Sequence, residues 1–101
     1  MDTDNLSTMA YETLLMAEKI THMFTIDLGA MSNRFKDEDS YLQCMLKFVR
    51  HTKRFPGEYI EEWDLEDEIS SQSLRNDMIL LEKHILKTLS IPVIERGKSY
   101  G

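Results

Sequence analysis

At 101 residues, with 18 acidic and 12 basic side chains, a formal charge of -6 and 42% hydrophobic residues, the chain has the size and composition of one small acidic domain. A single cysteine, Cys44, excludes an intramolecular disulfide framework. The longest apolar runs, Leu14 to Ala17 and Met78 to Leu81, fall far short of the roughly 20 residues a membrane-spanning helix needs.

The start, Met-Asp-Thr-Asp-Asn-Leu-Ser, is acidic rather than basic and apolar. With the lone cysteine, this leads to the expectation of no secretory signal and a reducing, cytoplasmic compartment. Negative net charge with interspersed bases argues against direct binding to nucleic-acid backbone, and the longest apolar runs argue against a membrane. Glycine-rich phosphate loops, CxxC pairs, HExxH and nucleophile-elbow patterns do not occur. A chain of this length buries roughly two thirds of its unfolded surface, so oligomerisation or partner docking would add needed stability.

Four glycines and two prolines punctuate the sequence, and apolar residues recur at threes and fours rather than alternately. This predicts an all-α fold: a compact bundle of three to four helices in one domain over residues 1–101. The first helix runs over about 8–33, capped by Ser7 or Thr8. On a helical wheel, Met9, Met16, Ala17, Ile20, Met23, Phe24, Leu28 and Met31 share one arc, while Tyr11, Leu15, His22 and Ile26 form a second stripe nearly opposite. A helix apolar on two sides suits one shared between a core and an interface, which leads to the expectation of a homodimer or a protein-binding surface. Met9, Met16 and Met23 recur every seven residues along one seam. Methionine is flexible and polarizable, so this seam fits either gap-filling in the core or a groove for an apolar partner.

The second helix is predicted over about 39–54, with Asp37 or Asp39 as its cap. Tyr41, Leu42, Met45, Leu46, Phe48 and Val49 face inward, and Lys47, Arg50 and Arg54 form a basic outer stripe. Phe55-Pro56-Gly57 stops it. Helical periodicity resumes over 58–89, with a polar spot at 70–73 that reads either as a break capped by Ser71 or Ser73 or as the solvated side of one long helix. Ser90-Ile91-Pro92 ends the pattern, and 91–101 is expected to be an extended or mobile tail.

Between Glu58 and Glu68 stand seven carboxylates and no base, so this stretch carries -7 and the rest of the chain sums to +1. Tyr59, Ile60 and Trp63 lie on one side of the same helix. On one reading the acids complement a helix N-terminus and neutralise the basic end of the second helix. On the other, Tyr59, Glu61, Glu62, Trp63 and Glu66 dock a basic protein, with charge steering the encounter and an aromatic ring as anchor. One form of this is mimicry of nucleic acid by an inhibitor of a basic nucleic-acid-binding protein.

The chemistry of a cofactor or metal is weakly signalled. His22, His51 and His84 fall one to each helix, and Glu18 shares a face with His22, but no Glu-x-x-His pair is present. No metal, no cofactor and no catalytic residue is expected. A helical metal- or cofactor-binding protein using Glu18, His22 and His84 is the alternative from another class. Cys44 has no base at contact spacing and reads as a small buried thiol. The expectation is a non-enzymatic protein-binding regulator, adaptor or inhibitor.

Overall fold

The computed structural model describes residues 6–20 and 37–97. Among them are four α-helices, α1 (Thr8–Ile20), α2 (Glu38–Arg54), α3 (Pro56–Glu62) and α4 (Ser71–Leu89), followed by a 3-10 turn, Val93–Glu95. The fold is an all-α bundle.

Ser7 caps α1. Its Oγ accepts from the Ala10 amide at 3.2 Å, satisfying one of the donors a helix start leaves open. The buried side of α1 consists of Ala10, Thr13, Leu14 and Ala17. Three of these are small, and they let α1 lie close against α4, where the Thr13 hydroxyl meets His84 Nδ1 at 2.7 Å and Thr88 Oγ1 at 3.3 Å. Met9, Met16 and Ile20 flank this face half-buried, Tyr11 flanks it on the other side, and Leu15 is exposed. The wheel's methionine arc is thus one shoulder of the buried face, whose centre is Ala10 to Ala17. Residues 21–33 of the predicted first helix, with His22 and Met23, lie outside the described residues.

Asp37 caps α2 by accepting from the Ser40 amide at 2.8 Å, and that hydrogen bond holds its carboxyl below the usual aspartate range. Tyr41, Leu42, Met45, Leu46 and Val49 are buried. The chain turns at Phe55, whose amide donates to the His51 carbonyl at 2.8 Å. Pro56 then begins α3, where its missing N–H would have been unpaired in any case.

The long segment predicted over 58–89 is two helices, and the break falls earlier than the serine run. Asp64 takes the left-handed conformation, φ 53°, just past α3. The Leu65 amide reaches back to the Ile60 carbonyl at 2.9 Å, and that of Asp64 to Glu61 at 3.3 Å. This is a Schellman termination with aspartate in the place usually held by glycine. Ser70 caps α4, its Oγ accepting from the Ser73 amide at 3.1 Å.

α4 is the central element. It packs on α1, α2 and α3 and gives the core Leu74, Met78, Leu81 and Ile85. Residues 91–97, expected to be extended or mobile, are docked on the bundle. Arg96 is 2% exposed and joins α1 to the start of α2: it donates to Glu38 at 2.8 Å and Asp39 at 2.5 Å, and its Nε donates to the Ile91 carbonyl at 2.7 Å. Glu38 also accepts from the Ser7 amide at 2.9 Å and hydroxyl at 2.7 Å. Isoleucines and a proline gave no sign that a buried ion pair would anchor the segment following them.

Candidate functional site

The acidic stretch divides at the Asp64 break. Glu58, Glu61 and Glu62 project from α3, while Asp64, Glu66, Asp67 and Glu68 lie on the connection to α4. That connection is held by Trp63, Leu65 and Ile69, half-buried against the core, so the intervening acids face solvent. All seven acidic residues are exposed, over two differently shaped segments.

Glu58 accepts from His51 Nε2 at 2.9 Å, on a pair whose side chains are 63% and 66% exposed. The other six carboxylates have no hydrogen-bond or ion-pair partner among the described residues. The basic end of α2 is engaged elsewhere. Arg50 donates to Glu82 of α4 at 2.9 Å, Lys53 to the same carboxylate at 2.7 Å, and Arg75 donates to the Lys53 carbonyl at 3.2 Å. The Lys53 hydrogen bond first, then that of Arg50, holds the Glu82 carboxyl below its ordinary range. Arg50 and Lys53 thus share one carboxylate of α4, and among the described residues the acidic stretch reaches α2 only through the exposed His51–Glu58 contact. The acidic face keeps its charge.

The aromatic residues are sorted differently from the sequence expectation. Tyr59 is 5% exposed and packs edge-on against Phe48, ring centroids 6.0 Å apart, and beside Trp63 at 6.3 Å. It is a core residue, which rules out the role of protruding anchor; Trp63 shows only part of its ring. The exposed ring beside the acids is Phe55, at 43% exposure. Its sequence signal, an aromatic directly before Pro-Gly, reads as a helix stop; the turn that makes the stop also turns the ring outward. The Arg54 guanidinium lies over that ring, 5.3 Å from its centroid.

Of the other candidates, Met9 and Met16 are half-buried and on α1, separate from the acidic segments in sequence. Glu18 is exposed, and His84 is occupied with Thr13. Among the described residues, no three His, Cys, Asp or Glu side chains gather as metal ligands. Cys44 is half-buried beside a shallow depression lined by Asp39, Ser40, Gln43 and Lys47. No helix of the described residues is long and apolar enough to cross a membrane. No family model, curated protein or solved structure matches this chain.

Proposed function

We propose that the protein is a non-enzymatic binding module that docks a basic segment of another protein on the face formed by Glu58 to Glu68. One observation carries this reading: six of those carboxylates have no partner among the described residues, while Arg50 and Lys53 of the adjacent basic helix end are paired with Glu82 of α4 instead. Carboxylates left to solvent in such density repel one another, and a cationic partner relieves that repulsion. Glu61, Glu62 and Glu66 supply steering charge; Trp63, half-buried at the break, supplies apolar contact area beside them.

The test compares the wild-type chain with the Glu61→Lys, Glu62→Lys, Glu66→Lys triple variant as baits in the native host. Proteins held by the first and lost by the second, with melting temperatures within a few degrees, support the reading. Retention should fall steeply as salt rises. An identical set of bound proteins on both baits removes the idea. Displacement of the partner by DNA or RNA would place it among nucleic-acid-binding proteins, and the module would then act by occupying the polynucleotide site.

The expectation of a homodimer is kept as part of this proposal, on the exposure of Leu15 on α1 and of Leu80 on α4. Light scattering reporting a single-chain mass across micromolar concentrations would remove it.

A further inference from the structure

Between the last turn of α2 and the first turns of α3 lies a small cavity of about 70 Å³, lined by Phe48, His51, Thr52 and Phe55 of the first and Glu58, Tyr59 and Glu62 of the second. A single water needs roughly 10–15 Å³ of such space, so the cavity takes a side-chain head group and nothing much larger. Its chemistry has two parts. Phe48, Phe55 and Tyr59 give it aromatic, apolar walls, and Phe55 is the exposed ring among them, whose face attracts a cation. Glu58 and Glu62, one helical turn apart on α3, put two carboxylates at the same opening.

We infer that this cavity receives the ammonium of a lysine side chain from the basic segment, with the aliphatic stem lying along Phe55 and the charge directed at Glu58 and Glu62. The inference rests on the docking reading above and adds its anchor. The Arg54 guanidinium, 5.3 Å over Phe55, shows that this ring accepts a cation and covers part of it with the chain's own arginine. A flat guanidinium from a partner would compete for that surface, whereas a compact ammonium on a narrow stem fits the recess. His51 is the in-chain occupant of Glu58, and an incoming lysine takes over that hydrogen bond.

The test uses fluorescein-labelled octalysine and octaarginine and reads anisotropy on the full chain. Phe55→Ala removes the ring and no charge. It is expected to weaken octalysine binding about two- to fivefold, the range of an exposed cation–π contact, with an unchanged salt slope and little effect on octaarginine. The Glu58→Gln, Glu62→Gln double variant should weaken octalysine and lower the salt slope. Unchanged octalysine affinity in Phe55→Ala overturns the cavity, as does an equal loss for both peptides. A Glu66→Lys, Glu68→Lys variant separates the two readings, because these residues lie outside the cavity. If it loses octalysine while Phe55→Ala binds normally, the acidic face stands and the cavity falls. No binding of octalysine to the wild type removes both. A measurement free of variants uses butylammonium chloride against butanol as the neutral control: shifts of the Phe55 and Tyr59 ring signals with the cation alone support the inference, and equal shifts overturn it.

Discussion

Arg96 is buried beside the buried Glu38 and the exposed Asp39, and its guanidinium is held by more than charge. Burial disfavours the cation, and the hydrogen bonds and fields of Asp39 and Glu38 more than offset this, leaving its pKa above the ordinary arginine value. Glu38 depends on it. With side chains 2% and 5% exposed, removing the guanidinium leaves a buried carboxylate whose remaining partners are the Ser7 groups. Arg96→Met is therefore expected to lower the unfolding free energy by about 3–5 kcal/mol, and adding Glu38→Gln to recover part of the loss because no uncompensated charge remains. Urea titration of the three proteins checks this; equal stabilities would show that the pair contributes nothing. The next residue sharpens the point. Gly97 has φ +100°, and a Cβ there would sit 2.9 Å from both Cβ and Oγ1 of Thr8. Gly97→Ala should destabilise by about 1–2 kcal/mol from the left-handed backbone alone, with the Thr8 contact adding to it. Gly57 meets nothing within 4 Å, so Gly57→Ala should raise stability by about 0.4–1 kcal/mol through the unfolded state.

At the scale of elements, the decisive local feature is the end of α3. Asp64 tolerates the left-handed position because its short polar side chain can bond locally, but glycine tolerates it better. Asp64→Gly should raise the melting temperature and Asp64→Val lower it; the reverse order would mean the turn does not set the break. Between α2 and α4, Glu82 is the shared acceptor. Its folded pKa is depressed, so its contribution is present above the unfolded glutamate value and is lost as pH falls through the lower folded value. The deficit of Glu82→Gln relative to wild type is thus expected to be largest near neutrality and to shrink in acid, as thermal melts across pH would show. A deficit that stays constant with pH would remove the role of ionised Glu82.

These same elements mark what the sequence discloses. The α2 boundaries and core side were legible because capping aspartate, apolar spacing and Pro-Gly stop agree with one another. The α3–α4 break was not, because an aspartate within a run of acids does not announce a left-handed turn. Ser70 as the α4 cap sat next to the expected serines, one position early. At the candidate site, the location of the charge was legible from the order of residues alone. Its lack of partners was not, since that depended on Glu82 reaching the basic helix end from α4. Phe55 was missed for a related reason: its exposure follows from the turn between two helices rather than from the periodicity of either.

For the whole molecule, concentrating -7 within residues 58–68 has a stability consequence. The repulsion is long-range and screened, with a Debye length of about 30 Å at 0.01 M salt and about 8 Å at 0.15 M. Over that interval the melting temperature of the wild type should rise, and that of a Glu61→Gln, Glu62→Gln, Glu66→Gln variant should rise less. Equal responses would mean that the acidic face does not strain the fold.

The docked tail also gives the molecule a built-in reporter. The Met9 amide, near the start of α1, donates to the Arg96 carbonyl at 3.2 Å, while the nearby Tyr11 amide donates to Ser7 at 2.9 Å. When the tail lifts, the Met9 bond opens and the Tyr11 bond does not. Hydrogen exchange at these two amides therefore separates release of the tail from fraying of the helix, one backbone proton for each event.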